Sequence, residues 1–230
     1  MMRDMTARQV RIFELILVLS VAFLPALIKS ITFLITGDIG EQRQMGNIDY
    51  VVWISQAILS IALLFYILLR NNKNFGHIGL NLKFTGQDLL LGVALMAVAW
   101  VFSGILSGSF NSFSPNLSDR AAKPQNMDFL KIHSVGLIFI ISIVFPLQEE
   151  LIVRGFTMTE IFGLTENKKL AVIISVLIQF SYHLYQGLPS ALLILPYFIL
   201  AAIYFVRTGN LNAIIISHFM FDFIGLMMRR

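Results

Sequence analysis

The stretch that decides the fold is SVGLIFIISIVFPLQEELIVRGFTMT, residues 134 to 159. Its apolar run is long enough to cross a bilayer as a helix, for which about 20 residues suffice. Yet it carries Glu149, Glu150 and Arg154. Charged groups at membrane depth cost several kcal/mol by most estimates and are kept for a task. Two further apolar stretches share the anomaly, with His183 in one and His218 and Asp222 in the other.

The rest of the chain has the same character. Of 230 residues, 57% are hydrophobic and 13% charged, against about 25% charged in soluble domains. Spans are expected at roughly 12 to 36, 49 to 69, 89 to 107, 134 to 159, 169 to 186, 190 to 206 and 211 to 228. The expected fold is therefore all-α: a polytopic membrane helix bundle of about seven transmembrane helices, with eight as the alternative count. The whole of 1–230 reads as one integral membrane domain, and 134–225 as the core that carries its anomalous ionisable residues and is the candidate for chemistry. The first span follows Arg3, Arg8 and Arg11 but is too long for a signal peptide's apolar region, and it reads as a retained helix.

The absence of cysteine excludes disulfides, thiolate ligands and a cysteine nucleophile. The formal charge of +4 belongs mainly to loops and ends, so the expected partner is the lipid bilayer and not nucleic acid. Arg3, Arg8, Arg11, Arg70, Lys73, Lys83, Lys168, Lys169 and Arg207 fall on one side by alternate loops, which makes it the expected cytoplasmic side. Arg43, Arg120, Lys123, Lys131, Arg229 and Arg230 fall on the other. The cell membrane is the expected location. The connection from Arg70 to Asp88 mixes polar residues with Phe75, Ile78, Leu80, Leu82 and Phe84, a pattern that suits a segment lying at the interface. Residues 108 to 133 read as a mobile connection or a lid.

On an α-helix Glu150 and Arg154, four apart, share a face, so an ion pair can keep that charge buried. Glu149 points about 100° away and has no such local partner. Desolvation disfavours its charged form, which suits a general base near neutral pH. Pro146, three residues earlier, can bend the helix and open room for water. His218 and Asp222 share a face, so the carboxylate can orient the ring. A rise of about 1.5 Å per residue puts Glu149, His183 and His218 within about 10 Å in depth.

Two histidines, two glutamates and an aspartate can activate water in two ways. A zinc ion can be held by His183, His218 and a carboxylate such as Glu149, with an open position for water. Without metal, Glu149 and His183 polarise the water while His218 and Asp222 stabilise an oxyanion. The spacing does not choose between them.

EExxxR at Glu149, Glu150 and Arg154, a Phe-then-His motif ending at His183, and HxxxD at His218 and Asp222 occur in that order. With these motifs the chain resembles the CPBP (Abi, or CAAX protease and bacteriocin-processing) intramembrane endopeptidases, which include the type II CAAX prenyl proteases. The resemblance implies hydrolysis of peptide bonds in membrane-associated substrates, prenylated CAAX-type proteins or peptide signals among them. It also implies that Glu149 and His183 activate water and that His218 and Asp222 form the oxyanion hole, with Glu150 and Arg154 in support. The family has been described as metalloproteases as well. One departure is that Gln179 stands where a phenylalanine is common, and Phe180 follows. A non-enzymatic membrane scaffold or bacteriocin-immunity protein is the competing reading, and a proton- or metal-coupled transporter the third.

Overall fold

The computed structural model describes residues 5–36, 47–113 and 134–228. The lid expected within 108–133 falls largely outside them. Gly108 to Phe113 instead extend the third helix. Helix α1 spans Ala7–Thr36, α2 Asn47–Arg70 and α3 Gly86–Phe113. Helix α4 runs over Val135–Thr165, α5 over Lys168–His183, α6 over Leu188–Thr208 and α7 over Asn212–Met227.

The polytopic helical bundle is what the apolar runs require, because in lipid every backbone polar group must be satisfied within its own segment. By length and composition, five described helices can cross a membrane: α1, α2, α3, α4 and α6. The other two expected spans, α5 and α7, are helices of 16 residues each. Their sequences explain the shortness. Gly187 at φ +93 follows the short 3-10 turn Leu184–Gln186 that ends α5, and Asn210 and Asn212 bracket the start of α7. The chain is an integral membrane protein, and Ile31, Leu59, Leu90, Val101, Ile105 and Leu177 face outward from the bundle.

Packing gathers the short helices at the centre. Helix α7 lies between α3 and α4, while α5 packs on α6 and α1. The interior holds Val18, Leu64, Leu68, Ile152, Val153, Phe198 and Ile214. At the basic end, Glu160 of α4 takes Arg11 at 2.7 Å and Lys73 at 2.8 Å, and Glu14 of α1 takes Arg70 at 2.7 Å. These pairs fasten α1, α2 and α4 together at that end.

The connection expected to lie at the interface does so only in part. Leu82 and Phe84 are exposed, but Phe75–Ile78 form a 3-10 turn that sinks Ile78 into the core. The Gly79 carbonyl accepts from the Leu211 amide at 2.9 Å, and Asn212 exchanges hydrogen bonds with the Asn81 backbone at 3.1 and 2.9 Å. The segment thus closes the bundle beneath the start of α7.

Gly79 makes this closure possible, since it sits at φ +92 and a Cβ there would run into the Gly209 carbonyl oxygen. Gly79→Ala is expected to cost roughly 1–3 kcal/mol for the backbone conformation, plus the displaced contact. A lowered thermal midpoint in detergent, with Gly86→Ala as the open-space control, checks it.

Candidate active site

The charged motif of α4 lies where the helix changes its winding. Val135 to Glu149 is α-helical, Glu150–Thr157 is a π-helix, and α-helix resumes at Met158. Such wide turns recur at functional sites. Pro146 has no N–H to offer the preceding turn, and the altered winding begins four residues after it. The sequence suggested a bend at Pro146; the structure has a π-helical stretch. Gly155 sits inside it, where a Cβ would meet the Ile78 carbonyl oxygen at 2.8 Å. The widened turn therefore packs directly on the Phe75–Ile78 segment.

Glu150 and Arg154 are both fully buried. Arg154 Nε lies 3.3 Å from Glu150 Oε2, a close contact of opposite charges without hydrogen-bond alignment. Arg154 also donates from Nη2 to the Phe198 carbonyl of α6 at 3.4 Å. The other carboxylate oxygen, Oε1, lies 2.7 Å from His218 Nδ1. A carboxylate can only accept here, so Nδ1 carries the proton and Nε2 faces the remaining neighbours. Glu150 therefore orients His218. Asp222 Oδ1 stands 3.7 Å from His218 Nε2, beyond hydrogen-bond reach but close enough for charge compensation.

Glu149 is not the unpartnered carboxylate its own helix suggested. Its Oε2 accepts from Gln179 Nε2 at 3.0 Å and from the Tyr182 hydroxyl at 2.8 Å, both on α5. Tyr182 is held in turn by stacking on Phe23 of α1, with centroids 4.4 Å apart and planes 2° off parallel. His183 Nδ1 lies 2.8 Å from the Gln179 carbonyl, which can only accept, so Nδ1 donates and Nε2 is left as an acceptor. Gln179, Tyr182 and His183 are spaced i, i+3, i+4 and share one helical face. That spacing was a sequence signal for their joint action, but which carboxylate they would meet is set by the packing of α5 on α4. Gln179 is itself fully buried, and its Oε1 has no partner among the described residues. An orphaned buried acceptor costs about 1–3 kcal/mol.

A cavity of about 210 Å³ collects these groups: Glu149, His183, His218 and Asp222 all line it. Its walls are largely apolar, with Ile141, Phe145, Ile194, Phe198 and Phe221. A second cavity of about 140 Å³ lies behind Glu149 and His183, between α1 and α2, and contains Gln56, Gln148 and Lys29. Both hold room for water, which needs about 10–15 Å³ by this measure. Trp53 lines both, with the Lys29 ammonium 4.5 Å above its ring. Trp100 is 43% exposed and meets Phe221 edge-on.

The candidate zinc ligands all line the first cavity, and one donor atom of each is engaged. Nδ1 of His183 is committed to a carbonyl, Nδ1 of His218 to Glu150, and Oε2 of Glu149 to two donors. Among the described residues, no group of three His, Cys, Asp or Glu is placed to hold a metal ion. Those bonds do not use Nε2 of either ring or Oε1 of Glu149, and it is the placement of the three residues that sets them apart from a metal site.

Residues 131–224 match the family model described as Type II CAAX prenyl endopeptidase Rce1-like. All three motifs fall inside this segment, which is similar to that family. No curated protein and no solved structure matches the chain.

Glu150→Ala should strand the Arg154 charge in the core and release His218. Breaking a buried pair in this way is expected to cost about 3–5 kcal/mol. Asp222→Asn, at the more exposed end of the same network, should cost far less. Thermal melts of the two purified variants make the comparison.

Proposed function

We propose that this chain is an intramembrane endopeptidase that hydrolyses peptide bonds of membrane-associated substrates, with water activated by Glu149 and His183. One observation carries the reading: four ionisable groups from three separate helices line a single apolar-walled cavity within a membrane bundle. Burying them together costs more than any packing role repays. The match to an endopeptidase family supports the reaction class. The expected setting is the cell membrane.

In this reading Glu149 takes a proton from water as the oxygen attacks the scissile carbonyl carbon. His183, with Nε2 free to accept, holds the same water and relays the proton toward the departing amine. The oxyanion that forms is met by His218, which can donate from Nε2 once doubly protonated, with Glu150 behind Nδ1 to balance the charge. An ionised Asp222 has no proton to give, so it acts through His218 by compensating its charge. Glu150 and Arg154 hold the geometry. The step needs no metal. The apolar walls suit a hydrophobic substrate segment entering from the lipid.

Purified protein in proteoliposomes, given a peptide substrate found by comparing new termini in wild-type and Glu149→Ala membranes, tests the assignment. Glu149→Gln should abolish hydrolysis while leaving the protein folded. His218→Ala should lose roughly 100- to 1,000-fold in rate, as for a removed oxyanion donor. Full activity in Glu149→Gln would remove Glu149 as the base. Chelators should leave the wild-type rate unchanged, and loss of activity restored by zinc would overturn the metal-free step.

A further inference from the structure

We infer that Gln179 is a positioning residue for the reaction, holding Glu149 through its side chain and His183 through its backbone carbonyl. The inference rests on the reading of Glu149 as the general base. Each half of the arrangement is a direct contact: Nε2 to Glu149 Oε2 at 3.0 Å, and the carbonyl oxygen to His183 Nδ1 at 2.8 Å. One residue of α5 thereby sets the orientation of the base on α4 and of the imidazole one turn further along its own helix.

The two donors on Glu149 also divide its oxygens. Gln179 and Tyr182 both meet Oε2. This leaves Oε1 as the oxygen that takes the proton from water, and two fixed donors on Oε2 prevent the carboxylate from rotating to exchange the two. Preorganising the reacting atom in this way is what separates a poised base from a carboxylate that is merely present.

A purely structural role fits Gln179 poorly. Its side chain is completely buried and its Oε1 has no hydrogen-bond partner among the described residues. An apolar side chain of similar volume would fill the space without stranding an acceptor. The amide orientation is fixed by chemistry, since Oε1 turned toward Glu149 would set oxygen against carboxylate oxygen. The fold thus accepts an unfavourable group in return for an N–H aimed at Glu149. The sequence places this glutamine where the resemblance led to an expected phenylalanine, so this chain adds a donor where an aromatic ring would supply none.

The test is Gln179→Met, which keeps the volume and removes both amide atoms. Its thermal midpoint in detergent should equal or exceed that of the wild type, while kcat for peptide hydrolysis falls about 10- to 100-fold at unchanged KM. That is the range a lost hydrogen bond to a charged group represents in rate. Stability and turnover moving in opposite directions is the signature that packing alone cannot give. Tyr182→Phe removes the second donor with a single oxygen and should lower kcat in the same way, so it decides the matter if Gln179→Met does not fold. Wild-type kcat in both variants, or a fall in kcat that tracks a fall in thermal midpoint, would overturn the inference. Glu149→Gln is measured alongside: if it is inactive while Gln179→Met is fully active, only the positioning role fails, and if it is active, the base assignment fails first.

Discussion

A carboxylate with no solvent exposure in the middle of a membrane bundle must be compensated on every side, and Glu150 is where this protein meets that demand. Oε2 faces the Arg154 guanidinium and Oε1 holds the His218 ring. Through those contacts α4 is tied to α7, and through the Arg154 bond to the Phe198 carbonyl it is tied to α6. Removing any member would leave a charge in surroundings of low dielectric, which is why such networks fail as a unit. The neighbouring residues accommodate this network: the helix widens into a π-turn from Glu150 onward, and Gly155 lets that widened turn lie against the chain at Ile78.

The sequence made the bundle legible because long apolar runs admit few other solutions in lipid. It made the motif residues legible because charges inside those runs stand out. What it did not reveal was partnership across helices. Reading i, i+4 along one helix assigned Glu150 to Arg154 and His218 to Asp222. Both pairs are real contacts, but the shortest link of the group, Glu150 to His218, joins positions 68 residues apart in the chain. Local periodicity contains no information about it. The same gap hid the partners of Glu149, since Gln179 looked like the loss of a phenylalanine and is the gain of a hydrogen bond. The interfacial reading of the Arg70 to Asp88 connection failed at Ile78 for a related reason: polar–apolar mixing cannot say that a neighbouring turn, through Gly79 and Leu211, will draw one residue inward.

The two carboxylates in sequence, Glu149 and Glu150, therefore occupy contrasting surroundings. Glu150 is sealed among charged partners and lines neither of the two cavities. Among the described residues, Glu149 is hydrogen-bonded through Oε2, and it borders two cavities. Adjacent residues reach such different environments because each successive residue of a helix turns to a new neighbour, one toward α6 and α7 and the other toward α5.

The shortness of α5 and α7 bears on the lipid around them. Sixteen residues rise about 24 Å, short of the roughly 30 Å hydrocarbon core, and Ile173 and Leu177 of α5 face outward. A bilayer meets such a mismatch by thinning beside the short element. The helix that carries His183 would thus draw headgroups and water inward on its own flank, so that the aqueous phase approaches the cavity through a dimple in the membrane surface.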